Sequence, residues 1–224
     1  MSTAHQPTPD SAAAAGKDGE DARGLLARHL LPTLLHGINN HTQFLTGLHA
    51  VLSLTGGGRV LHDRADDLAQ TARDVEDAGW LLALVASGNG ANLMLARREP
   101  RGLEIVAVCV DEALRRVAAA RPLACAERSW PRVAPAALDG WQLPWCLGSL
   151  LLAAGLDAPD AESFDWALSP VGEGAQFVLP RSARVEQLVP LISELLDGAQ
   201  VGVEGEQLKL GLPAGWLQFA GPCA

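Results

Sequence analysis

The sequence predicts an α+β fold, with two long amphipathic helices followed by a mixed unit whose helices lie on one face of a largely antiparallel sheet. Three observations lead there. Leucines recur at helical spacing through residues 26–52, and apolar residues do so again through 61–86; a run of three glycines separates these stretches; and short apolar segments bounded by turn residues fill the C-terminal third.

A chain of 224 residues can bury a sizeable core. Its net charge of −9 leaves no basic stripe for a phosphate backbone, so no nucleic-acid partner is expected. Cys109, Cys125, Cys146 and Cys223 form no CxxC pair and no histidine stands at a metal-finger interval, so they read as small buried hydrophobes in a reducing compartment, with no metal site. The opening "MSTAHQPTPDSAAAAGKDGEDA" lacks a basic region followed by an apolar core. Neither a leader nor a membrane span is expected there, and the location is read as cytoplasmic.

Residues 1–22, rich in Ala, Pro, Ser, Thr, Gly and Asp, have little to bury and are predicted to be a disordered tail. From Arg23 the pattern changes. Leu26, Leu30, Leu34, Ile38, Leu45, Leu48 and Leu52 fall at steps of three, four or seven, one face of a helix about thirty residues long, with Pro32 a candidate kink. "TGGGR" stops it, because consecutive glycines cannot sustain a helix. "VLHDRADDLAQTARDVEDAGWLLALVAS" then reads as a second helix, antiparallel to the first. Two helices cannot cover both apolar stripes by themselves. Residues 23–90 are therefore expected to pair in a homodimer as a four-helix bundle, with Leu34, Ile38, Leu45, Leu68, Val75 and Leu82 in its core.

"SGNGANLMLARREPRG" has the composition of a linker, placed at 91–102, and residues 103–224 form the second unit. Its expected elements are a helix at "VCVDEALRRVAAA", a strand at "LACAERSW", a helix at "DGWQLPWCLGSLLLAAGLDA", and strands at "SFDWALS" and "AQFVLP". A helix at "ARVEQLVPLISELLDG" and a closing hairpin, "AQVGVEGEQLKLGLP", complete it.

The candidate chemistry sits in the first helix, where His36 and Asn40 share a face one turn apart. A neutral imidazole is a nucleophile able to accept and return a phosphoryl group. The plain alternative is a surface histidine with its nitrogens in water. His29 lies about 10.5 Å along the helix from His36, too far to share a metal ion, and His41 misses the i, i+4 spacing of a helical metal pair. These two, with His49 and His62, read as solvent or interface residues.

"LLHGINNHTQFLTGL" resembles the H-box of sensor histidine kinases, commonly HE(I/L)NNPL, in their dimerisation and histidine-phosphotransfer hairpin. His36 matches the phospho-acceptor and Ile38, Asn39 and Asn40 match the residues after it; "DVEDAGWLLALVAS" resembles the end of the second hairpin helix. "LPWCLGSLLLAAGLDA" is similar to the N-box helix of the kinase ATPase domain, and "ARVEQLVPLISELLDGAQVGVEGEQLKLGLP" to that domain's last helix and hairpin. The departures matter as much. Gly37 replaces the acidic base that follows the phospho-histidine, His41 stands at the usual proline, and Ser149 and Ala153 replace the two N-box asparagines, the second of which helps hold Mg²⁺. No DxGxG adenine segment and no glycine-rich lid are recognisable; "SPVGEGAQF" reads as a hairpin turn.

The resemblance thus implies a two-helix hairpin joined to a degenerate ATPase-like α/β sandwich, as in dimeric phosphorelay histidine phosphotransferases. It implies transfer between His36 and receiver-domain aspartates of response regulators, with Asn40 as a supporting polar group and Mg²⁺ in the receiver. A hybrid histidine kinase is a further candidate partner. No cofactor of its own and no ATP-dependent autokinase activity are expected. The alternative is a non-catalytic, pseudokinase-like adaptor that binds a kinase or response regulator, with His36 a relic. A weak autokinase using Asp111 or Glu112 is a third reading, although nothing in their spacing puts either near His36.

Overall fold

The computed structural model describes residues 9–55, 58–91, 103–117, 130–134, 140–158 and 164–219. Residues 1–8 of the expected tail, 92–102 of the expected linker, and most of the strand expected at "LACAERSW" lie outside them, as do Cys125 and Cys223. The described chain is a mixture of helix and antiparallel sheet, as expected.

Helix α1 (Pro9–Thr55) contains Pro32 and begins within the segment read as a tail. Leu26, Leu30 and Leu34 repeat every four residues and are buried, together with Leu25, against the helices that follow. Beyond Leu34 only half-buried Ile38 still packs against that core, and Leu45, Val51 and Leu54 are exposed. The second long helix is divided, contrary to the single run expected, into α2 (Gly58–Asp63) and α3 (Ala65–Gly88). The break falls at Arg64, whose backbone stands at φ −114 and ψ 13, while its Nη1 donates to Asp67 Oδ2 at 2.8 Å. In α3 the burial gradient runs the other way along the sequence: Ala78, Trp80, Leu81, Leu84 and Val85, near its end, belong to the core. Both long helices therefore have one half rooted in the core and one half standing clear of it.

Helix α4 (Leu103–Arg115) starts before the expected "VCVDEALRRVAAA" because Leu103, Val106 and Ala107 already bury one face. Helix α5 (Gln142–Asp157) is the centre of the fold. Every residue from Leu143 to Gly155 is buried, so it is apolar around its whole circumference, as a helix covered on all sides must be. It contacts α1, α3, α4 and α6 as well as the sheet.

Four strands, β2 (Ala167–Val171), β3 (Gly174–Pro180), β4 (Gln200–Glu204) and β5 (Gln207–Leu212), form an antiparallel sheet in the order β2-β3-β5-β4. Ala175, Phe177 and Leu179 alternate with Leu208, Leu210 and Leu212 on its buried face; Phe177 pairs with Leu210 and Leu179 with Leu208. Gly172 and Gly205, at φ 58 and φ 59, make the two tight turns possible. Helix α6 (Ala183–Leu195) joins β3 to β4, starting at Ser182, whose Oγ accepts from the Val185 N–H at 3.3 Å. An ion pair between Arg184 and Asp157 ties its first turn to the end of α5. A second, two-stranded sheet pairs β1 (Arg132–Val133) with β6 (Leu217–Gln218).

Leu34, expected in an intermolecular bundle, is only 5% exposed within the single chain. One apolar cluster runs from Leu25 and Leu84 through α4 and α5 to Leu212, so the roots of the long helices and the sheet share a core.

Candidate functional site

His36 stands on α1 two residues past Leu34, the last buried apolar residue of that helix, and before half-buried Ile38, which still packs against the core. It is exposed, and so are Asn39 and Asn40. At ~100° per residue Asn40 is rotated by only about 40° from His36 and displaced by about 6 Å along the axis, so both face the same stretch of solvent. A mid-helix backbone holds them rigidly, its own N–H and C=O groups being satisfied within the helix. Further along, Thr42 and Thr46 donate their hydroxyls to the carbonyls of Ile38 and Thr42 at 2.9 and 2.8 Å, which leaves the outer part of the helix without unpaired local hydroxyls there.

Gly37 is not required by packing: a Cβ built there meets nothing within 4 Å.

The other histidines have distinct surroundings. His41 turns inward, half-buried, with Nε2 at 3.9 Å from Asp74 Oδ2, so it belongs to a groove and not to open solvent. His29 is half-buried on the rooted part of α1, where burial first, then Arg28 and Arg184, lower its pKa. His49 and His62 are exposed on the outer part.

On the neighbouring face of α1 lies a groove of about 490 Å³ between α1, α3 and α4. Gly37 and His41 border it from α1, Asp74 and Asp77 from α3, and Glu104 and Glu112 from α4. Sequence spacing gave no reason to bring Glu112 near the His36 turn; folding of α4 onto α1 puts it beside Gly37's groove, while Asp111 is engaged with Arg115 at 2.8 Å. A second hollow of about 710 Å³ opens between α1 and α2, bordered by Phe44, Leu48, Val60 and Arg64.

The two residues that the sequence resemblance sets at N-box positions are placed differently. Ser149 and Ala153 on α5 are both 0% exposed, inside the core. Among the described residues no group of three or more His, Cys, Asp or Glu side chains could hold a metal ion, and no helix is long and apolar enough to cross a membrane. Compared with known proteins, the chain matches no family model and no curated protein.

Proposed function

We propose that the chain is a phosphorelay histidine phosphotransferase, in which His36 takes a phosphoryl group from the aspartyl phosphate of one receiver domain and gives it to the aspartate of another. In this reading α1 and α3 form the dimerising phosphotransfer hairpin, and residues 103–219 are a degenerate ATPase-like domain. The observation that carries it is the position of His36: exposed, mid-helix, with exposed Asn40 one turn on, just past Leu34, the last buried apolar residue of α1. The complete burial of Ser149 and Ala153 supports the second half, because side chains enclosed by apolar neighbours serve as scaffold and not as nucleotide contacts.

The chemistry follows from a neutral imidazole. One ring nitrogen attacks phosphorus in line with the aspartyl oxygen; the N–P bond forms as the P–O bond breaks, and the receiver carboxylate leaves with the electron pair. The other ring nitrogen then loses its proton to water. No general base is needed to create the nucleophile, so Gly37 is compatible with transfer although it removes the residue an autokinase would use. Asn40 can donate its amide N–H groups to a phosphoryl oxygen. Mg²⁺ is expected in the receiver, and the reverse sequence of bonds delivers the group to the next aspartate.

The test is direct. Phosphorylated receiver domains of the same organism, incubated with the protein, should transfer acid-labile label to it; His36→Gln should abolish that label while leaving circular dichroism and oligomeric state unchanged. His41→Gln, about 140° round the helix from His36, should retain transfer. Label on His36→Gln equal to the parent's, or no transfer from any receiver, would favour the non-catalytic adaptor.

A further inference from the structure

The groove between α1, α3 and α4 has two properties that His36 chemistry does not use. Its floor is apolar, with Leu34, Ala78, Leu81, Ile105 and Val108 lining it, and Val108 remains 50% exposed on a helix otherwise well packed. Its rim is acidic among the described residues: Asp74, which also accepts from Gln70 Nε2 at 2.7 Å, and Asp77 on one wall, Glu104 and Glu112 on the other, with no Lys or Arg among the described lining residues. His41, 3.9 Å from Asp74, is the only basic side chain among the described lining residues. Glu104, Val108 and Glu112 repeat every four residues along α4, so the carboxylates flank an apolar position on one face of that helix.

We infer that this groove is a docking cleft for a basic amphipathic helix of a partner protein, one presenting an apolar stripe flanked by Lys or Arg. An apolar trough with acidic edges is complementary to that pattern, because the stripe fills the floor while the flanking cations meet the carboxylates at the rim. The space suits a few side chains projecting from a helix laid across α1 and α4, and not a whole helix sunk between them. This inference is independent of the relay reading: the α1 residues lining the groove, Thr33, Leu34, Gly37 and His41, lie about 60–160° round the helix from His36, on the neighbouring face, with Asn40 between them by helical phase.

The probe is a fluorescent synthetic peptide about four turns long, with leucines at i, i+3, i+4 and i+7 flanked by lysines, titrated with the full chain and followed by anisotropy. Saturable binding should weaken steeply with salt, and a peptide with glutamates in place of the lysines should not bind. The double variant Glu104→Lys, Glu112→Lys should weaken binding by at least about tenfold, as loss of complementary rim charge predicts. Glu173→Lys with Glu206→Lys changes net charge equally on the exposed turns of the sheet and should leave affinity within about twofold. Equal weakening by both pairs means diffuse attraction to an acidic protein and overturns the inference. So does absence of saturable binding at low salt, or a groove variant that alters oligomeric state, which would make the occupant a second copy. The peptide carries no phosphate, so failure here leaves the His36 test untouched.

Discussion

Burial decides how individual titratable side chains answer pH. Cys109 on α4 is pushed up to about 12 from an ordinary 9.0, chiefly by burial, with Glu112 raising it further and Arg116 opposing. Cys146 inside α5 is raised by burial alone. Above the ordinary thiol value the unfolded chain loses protons that the folded chain keeps, so stability should fall as pH rises beyond about 9. His29 acts at the other end. Its lowered pKa means that below its ordinary 6.5 the unfolded chain binds the proton more readily, and stability falls with falling pH. Thermal unfolding followed from about pH 5 to about pH 10.5 should show Tm declining at both ends; a Tm still climbing above pH 9 would contradict the thiol contribution. The same burial predicts that peptides containing Cys109 or Cys146 are not alkylated in the folded protein near pH 8 but react on denaturation.

Elements show where a side chain is needed and where it is not. Gly37 and Gly88 are both helical glycines, but a Cβ at Gly37 meets open space, whereas one at Gly88 would overlap the Trp145 indole. Gly37→Ala should therefore stabilise by about 0.5–1 kcal/mol through helix propensity, and Gly88→Ala should destabilise by about 1–3 kcal/mol through overpacking. Urea midpoints at constant m-value would check both signs. Ser149, fully enclosed with its hydroxyl unpartnered, should tolerate alanine with no loss and a gain of up to about 1 kcal/mol. A marked loss would reveal a hidden hydrogen-bond role. The helices were legible because their apolar period survives in the sequence: Leu26, Leu30 and Leu34 mark α1, and the apolar run 143–156 marks a covered α5. Strands β3, β4 and β5 were legible from alternation and from the glycines between them. The break at Arg64 was not, since arginine has good helix propensity and the break depends on local backbone geometry. Nor was β6, two residues long and too short to show a period. His36 and Asn40 could be found because both lie within one turn of one helix; the acidic groove could not, because Asp74 and Glu112 meet only when α4 folds back beside α1 and α3.

For the whole molecule, the unresolved question in a helical stripe is what covers it, and periodicity alone cannot say. The stripe on α1 has two answers along its length. Leu26, Leu30 and Leu34 are covered by α4, α5 and α6 of the same chain. Leu31, Leu35 and Leu45 are 37%, 56% and 44% exposed; with half-buried Ile38 they fall within about 80° of one another by helical phase, at least about 100° from His36. On α2 and α3, Leu61 and Val75 are 44% and 43% exposed, and Leu68 lies midway between them in the sequence. Two copies packed through these stripes would bury them and leave both His36 side chains outward, which is the arrangement the proposed relay needs. Light scattering should accordingly give twice the 23.5 kDa chain mass, and Tm should rise with protein concentration. Leu45→Glu with Val75→Glu should yield the single-chain mass with helicity kept, because each side chain is already substantially exposed within its own chain and such surface changes usually cost within ~0.5 kcal/mol of intrachain stability. Introducing like charges across the paired stripes opposes association directly. A parent that is monomeric at tens of micromolar with full helicity would mean that some other partner covers the stripe, and the proposed homodimer would have to be given up.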